Sequence, residues 1–370
     1  MMNNKKFQTF FDCGSSKIRA GIFNIDNKDE FFYDESEFFI DPSHLESKIE
    51  KIITSFEKNT NEYINNINLM IDSPKMLSIG ISMSKKFYGS KLKKTNIQFL
   101  VQEAKQQILK YYPNYNITHI IINNYIIDGV DHSYLPGEIR CDFISLDILF
   151  LCLPNDLVLY FKKIYSKFNI SINKIICSSY AKSILYKNNL NLNGYVSFID
   201  VGFNRTSIIS YLNDKILYLD ILPVGGNHVT KDISKIFKID LEQSEQVKRN
   251  FDKNQKLSHD VNISIEKLKK IIFARIEEII ELCTKSIESN SHLSDKFKIV
   301  LMGDGAKMLK NQTKDKNFLS NDIDFLEETL GEICQSGFSF LRKPIKQEVV
   351  VVPKKQTKQG FFEKFFHFFR

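Results

Sequence analysis

Two stretches of the chain are written on one plan. FQTFFDCGSSKIRAGIFNI, near the start, reads as an apolar strand closed by an aspartate, a glycine turn and a returning apolar strand. YVSFIDVGFNRTSIISYLNDKILYLDILPVGG repeats that layout roughly 190 residues later. Self-similarity at such a distance predicts a duplicated α/β scaffold of two related halves, with a site between them.

The first turn, Asp12-Cys13-Gly14-Ser15-Ser16-Lys17, carries a chemistry of its own. Small residues in a tight turn expose backbone N–H groups that can surround phosphate oxygens. Ser15 and Ser16 add hydroxyls, Lys17 adds a point charge, and Asp12 can hold Mg²⁺ through water. The companion parts follow in order. Asp200-Val201-Gly202 closes the matching strand, with Asn204, Arg205 and Thr206 after it; Gly225-Gly226-Asn227 comes next, and Gly303-Asp304-Gly305 follows a late apolar strand.

Between these motifs the periodicity predicts helices near 44–58, 99–111, 264–289 and 325–340, and a helix after Pro154 with Asn155 as its cap. Strands are expected at 77–83, 119–128, 143–153 and 298–302.

Hydrophobic residues at 43% and charged residues at 26% are ordinary for a soluble globular protein. The first residues lack the pattern of a secretory signal, and no apolar run approaches the roughly 20 residues that span a bilayer. The six cysteines are scattered without C-x-x-C spacing, which predicts reduced, buried thiols of a cytoplasmic protein.

Net charge is +7, but residues 342–370 hold eight Lys or Arg against two Glu, leaving the other residues near neutral. A nucleic-acid binder is expected to carry a basic face on its folded body, so this distribution argues for an anionic surface as the tail's partner. The last ten residues, FFEKFFHFFR, place Phe361, Phe362, Phe365, Phe366, Phe368 and Phe369 within an arc of about 160° of a helical wheel. Lys364 and Arg370 fall on the other side with Glu363 and His367. A helix of that length is about 15 Å long, too short to span a bilayer but able to lie in its interface.

Acid, acid, then a late glycine turn is the layout of the actin, Hsp70 and sugar-kinase superfamily. Within it the chain resembles the FtsA family of actin-like bacterial cell-division proteins. FDCGSSKIRAGI is similar to that family's first phosphate motif, and LPVGGNHVTKDISKIFKIDLEQSEQVKR to its segment entering subdomain 2B. ARIEEIIELC resembles its helix beside the adenosine, and IVLMGDGAKML its adenosine turn.

The resemblance implies a bilobal actin-like fold. Residues 1–83 and 154–194 would form domain 1A, 84–153 an inserted subdomain 1C, 195–228 and 298–341 domain 2A, and 229–297 subdomain 2B. Residues 342–359 would be a basic linker, and 360–370 an amphipathic membrane-targeting helix.

It implies ATP and Mg²⁺ as ligands. Gly14, Ser15, Ser16 and Lys17 would face the phosphates, with Gly202, Arg205 and Thr206 in the second phosphate turn and Asp12 and Asp200 flanking the metal. Gly225, Gly226 and Asn227 would border the ribose. Arg275 and Glu278 would lie near the adenosine, and Gly303, Asp304 and Gly305 would form the turn where the base approaches the backbone.

The second turn departs from the family pattern D-x-G-x-G-T-T, because Asn204 replaces a glycine and Phe203 and Arg205 add bulk. No base for an attacking water stands near it, so nucleotide binding is expected with weak or absent ATPase activity, and no catalytic residue is assigned.

The function implied is that of a polymer-forming adaptor. It would hold the tubulin-like protein FtsZ, through FtsZ's C-terminal peptide on the 2B side, at the cytoplasmic face of the inner membrane, and help recruit later division proteins. Two alternatives stay open: a PilM-like adaptor of type IV pilus assembly, whose second phosphate turn is similarly altered, and a small-molecule kinase of the same superfamily.

Overall fold

A computed structural model describes residues 6–27, 30–37, 44–137, 139–252, 263–290, 297–307, 322–342 and 348. The linker and Phe-rich expectations, apart from residues 342 and 348, lie outside the described residues.

The duplication is visible in the sheets. In the first half, β1 (Phe7–Cys13), β2 (Lys17–Asn24) and β3 (Phe31–Glu37) form an antiparallel meander. On its other edge β1 pairs in parallel with β4 (Asn66–Met70), and β4 with β9 (Ser171–Ile176). The second half repeats this order. β10 (Tyr195–Val201), β11 (Thr206–Leu212) and β12 (Lys215–Leu222) form the meander, and β13 (Lys298–Met302) and β14 (Asp322–Phe325) add in parallel. The central strands are buried along nearly their whole length, as expected of strands covered on both faces by helices.

A third sheet, ordered β5 (Leu77–Lys91), β8 (Arg140–Pro154), β6 (Tyr115–Ile127) and β7 (Val130–His132), carries α2 (Lys94–Tyr111) on one face around its own apolar core. Its strand β5 pairs with β8 from Leu77 onward, so this sheet starts at residue 77 rather than 84. It rests on the edge of the second half, where Asn123 Nδ2 donates to Ile216 O (2.6 Å) and Lys215 Nζ to Asn124 Oδ1 (2.9 Å).

The helices are α1 (Leu45–Thr60), α3 (Asn155–Ser166), α4 (Ser178–Asn189), α5 (Gly226–Phe237), α6 (Leu241–Asp252), α7 (Ile265–Asn290) and α8 (Leu330–Arg342). Two sequence expectations need correction. The last helix starts at Leu330, not near Phe325, because DIDF is taken into the second sheet as β14, and Thr329 and Glu332 then form a reciprocal capping box. Asn155 does not cap α3: its amide is spent on Pro113 O at 3.0 Å.

Helix α8 comes from the end of the second half yet packs on the first sheet, with Phe338 stacked on Phe23 at a centroid distance of 4.5 Å. Two glycines permit this approach. A Cβ on Gly21 would lie 2.7 Å from Cys334 Cβ, and one on Gly337 would lie 2.5 Å from the flexible Met70 thioether.

Gly21→Ala is therefore expected to lower unfolding stability by about 1–3 kcal/mol, the range for overpacked cores. Gly337→Ala also meets the buried Phe10 ring at 2.8 Å, but Met70 can move and alanine favours a helix interior by up to about 1 kcal/mol, so its cost should be the smaller. Urea denaturation of the two variants checks the order.

Candidate functional site

The two hairpin turns close alike, Gly14 N–H donating to Lys17 O at 2.9 Å and Gly202 N–H to Arg205 O at 2.8 Å. Asp12 and Asp200 hold equivalent places, each pairing with a methionine of the neighbouring parallel strand, Met70 and Met302. The equivalence runs on past those strands, since Met70-Ile71-Asp72 corresponds to Met302-Gly303-Asp304.

The charges cross between the halves. Arg205 of the second turn pairs with Asp72 of the first half at 2.5 Å, and Lys17 of the first turn pairs with Asp304 of the second at 3.5 Å. Arg19 joins Asp304 as well.

These elements surround a cleft of about 280 Å³, near the lower end of the range for small-molecule sites, about 300 Å³. The first turn enters it through Gly14, Ser15, Ser16 and Lys17, with Asp12 behind. From the second half come Asp200, Gly202, Arg205, Gly226, Gly303, Asp304 and Gly305.

Five expected residues lie elsewhere. Thr206 is fully buried and donates to Val224 O, while Gly225 packs against the second turn, where a Cβ would come 2.5 Å from Gly202 O. Asn227 bonds Phe203 O and Asn204, so with Gly226 N–H on Gly202 O the first amides of α5 are spent on the second turn. Arg275 holds Asp232 of α5 through two hydrogen bonds and Glu278 at 2.5 Å, which makes this pair a helix-to-helix clamp. Gly303 and Gly305 do line the cleft, but their lack of a side chain serves the fold. A Cβ on either would strike Val201 O within 2.8 Å, and Gly303 has φ +90°.

The residue that sequence reasoning missed is Lys182. It projects from α4 of the first half, is 5% exposed and lines the cleft. Its ammonium lies 2.9 Å from Asp200 Oδ2 and 3.1 Å from Glu328 Oε1, and donates to Glu328 Oε2. The contact with Asp200 is ionic without an aligned hydrogen bond. Gly303 N–H anchors Glu328 at 2.7 Å. Burial alone would raise Asp200, but Lys182 and Arg205 outweigh it and hold its carboxyl below the ordinary value. Glu328 goes the other way, pushed up by burial and by Asp200 beside it.

Asp12 is also engaged, accepting from Ser178 Oγ (2.7 Å) and Arg19 (3.3 Å). The residues therefore do not fit a Mg²⁺ held between Asp12 and Asp200. Two unit charges 4 Å apart interact by about 4 kcal/mol at an effective dielectric of about 20, and a dication beside a fixed ammonium doubles that repulsion. Among the described residues no cluster of three metal-ligating side chains is found.

At the mouth, Arg249 of α6 donates to Glu37 at 2.8 Å, and Lys17 lies 3.1 Å from the same carboxylate. Deeper in, Glu245 and Lys248 of α6 form a buried network with Thr230 of α5, and the lysine also donates to Gly226 O. All six cysteines are buried and free. No described helix is long and apolar enough to cross a membrane.

Burial would raise Glu37 and Asp304, but the bases around the cleft mouth, Arg249 and Lys17 for Glu37 and Arg19, Lys17 and Lys307 for Asp304, prevail and hold both below the ordinary carboxylate range. Carboxyls lowered in this way stabilise the closed cleft above about pH 4–4.5, and that contribution is lost as pH falls through their folded values. The protection factors of the first-turn amides, taken relative to the intrinsic exchange rate at each pH, are expected to fall as pH drops below that range. In the double variant Glu37→Gln, Asp304→Asn they should be reduced already at neutral pH and change little with pH.

The chain's likeness to known proteins agrees with this architecture. A family model described as "Cell division protein FtsA" matches residues 197–315. Relatives of the same name include one from Buchnera aphidicola subsp. Acyrthosiphon pisum, 24% identical over 82% of this chain and 82% of that protein. Another, from Borreliella burgdorferi, is 22% identical over 41% of this chain, and the match spans 37% of that protein's length. Among solved structures, a PilM-PilN type IV pilus biogenesis complex aligns with TM-score 0.62 at 12% identity, over 86% of this chain and 88% of the other. Ethanolamine utilization protein EutJ from Carboxydothermus hydrogenoformans aligns with TM-score 0.51 at 11% identity, over 91% and 92%. At such identity these two speak for the fold alone, a bilobal actin-like one. The duplicated sheets and the packing of α8 across the halves give an actin-like fold, and over residues 197–315 the chain is similar to the FtsA cell-division proteins.

Proposed function

We propose that the chain binds a nucleoside polyphosphate between its halves, forms filaments, and tethers FtsZ to the cytoplasmic face of the inner membrane at the division site. The observation that carries this reading is the pair of equivalent glycine turns facing one cleft, with Lys17, Arg205 and Arg249 reaching it from three elements. A phosphate entering there competes with Glu37 and Asp304 for Lys17, so binding and rearrangement of the cleft mouth are coupled. Among the described residues of the cleft, Asp12, Asp72, Asp200 and Glu328 each face a cation or donor of the chain rather than open space for an attacking water, which is the basis for proposing binding with little turnover.

Binding is tested by thermal unfolding with ATP and ADP. Ligand at 100 times its Kd should stabilise the protein by about 2.7 kcal/mol, and Lys17→Ala should weaken binding about tenfold, or 1.4 kcal/mol. An unmodified protein whose Tm ignores both nucleotides would lack the site.

The membrane role rests on the Phe wheel and the basic charge beside it. A lone helix this short is marginal in water, and lining up many copies on a filament raises avidity without new contacts. Full-length protein is expected to sediment with vesicles containing anionic lipid and to bring FtsZ down with it. A chain ending at Gln359 should stay in the supernatant, and equal pelleting of the two forms would overturn the anchor.

A further inference from the structure

The cleft contains a cation that belongs to the chain. We propose that this protein takes its nucleotide without a divalent metal, the Lys182 ammonium standing between the cleft carboxylates as a built-in counter-charge for the phosphates. This rests on the reading of the cleft as a nucleotide site.

Three observations converge. Lys182 reaches from one half into the other and contacts both Asp200 and Glu328 within 3.1 Å, the bridging arrangement a bound cation adopts between two carboxylates. Its partners are fixed: Gly303 N–H holds Glu328, and a Cβ on Gly303 would lie only 2.4 Å from Asp200 Oδ1, so the strand end closes round that carboxylate. The second strand-end acid is equally committed, with Ser178 on one oxygen of Asp12 and Arg19 on the other.

Charge balance points the same way. Arg19, Lys182 and Arg205 face Asp12, Asp72, Asp200 and Glu328. Glu328, the fourth acid, is pushed up by burial and by Asp200 and shares the Lys182 ammonium, so each of the four acids already faces a cation of the chain. Mg²⁺ usually keeps several waters and takes one or two carboxylates. Here those carboxylates are already matched, and the dication would enter beside an ammonium that burial cannot discharge while two acids hold it.

The test is a calorimetric titration of the full-length protein with ATP, once in excess Mg²⁺ and once in excess EDTA. The two Kd values are expected to agree within about twofold, a difference of roughly 0.4 kcal/mol. A larger loss of affinity in EDTA overturns the proposal while leaving the nucleotide site standing. Absence of binding in both solutions removes the site and the proposal together.

Lys182→Met supplies a second reading. With the ammonium gone, the variant should bind ATP at least about tenfold more tightly in Mg²⁺ than in EDTA, a coupling of about 1.4 kcal/mol. A variant equally indifferent to metal would show that Lys182 is not the counter-charge. Should the variant fail to fold, the comparison on the unmodified protein decides alone.

Discussion

The two halves of this protein are joined by charges that cross from one to the other, and the most deeply placed of them is Lys182. Its helix belongs to the first half, while Asp200 and Glu328 belong to the second. A pair this buried gains little net stability, because desolvating the ions offsets most of their attraction. What it supplies is geometry. Removing the ammonium would leave two carboxylates buried together, so only an arrangement of the halves that brings α4 to β10 satisfies all three groups. Helix α8 answers in the opposite direction by packing on the first sheet through Phe338 and Cys334.

The crossing follows from the duplication. Because the two sheets have the same strand order, each half presents a basic residue at the end of its hairpin turn and an acid just after its third central strand. Placing the halves face to face brings each base to the other's acid, Lys17 to Asp304 and Arg205 to Asp72. The two sites have since diverged. Asp72 is sealed from solvent and also accepts from Cys177 and Ser179, whereas Asp304 remains about half exposed. One pair is closed off from water, and the other sits where water or an anion can reach it.

Much of this was legible in the sequence. The repeated strand–aspartate–turn units pointed to two related halves, and β13 was bounded correctly because a short apolar run ends at Gly303. The first turn was assigned to the cleft on its small residues together with the companion motifs that follow it in order. Less legible were positions carried over from the family resemblance, which gives a residue's place in a motif but not the direction of its side chain. Thr206, Asn227, Arg275 and Glu278 have the chemistry to meet a nucleotide, yet each is spent on a neighbouring helix or turn. Asp72 had a signal, since NLMID resembles VLMGD in ending a buried strand before an acid. Lys182 had a weaker one, a lone lysine in SSYAKSIL, whose residues are otherwise small or apolar. Sequence alone cannot tell such a lysine from a solvated one, because its partners lie in segments far along the chain.

The ties between the halves differ in how readily they yield, and that difference gives the cleft its freedom of movement. The third sheet holds the edge of β12 through Asn123 and Asn124, and Lys182 and Arg205 hold the interior. Against these, the Arg249–Glu37 and Lys17–Asp304 contacts lie on partly exposed groups, and exposed pairs contribute only about 0–1 kcal/mol each. The mouth, where α6 meets β3, is therefore held less firmly than the interior, where the buried pairs lie. A phosphate arriving at Lys17 would displace carboxylates that now link the halves, and could close the mouth again only by bridging the same bases itself. Ligand binding and the relative position of the halves are in this way a single equilibrium, read by any partner or second copy that touches both.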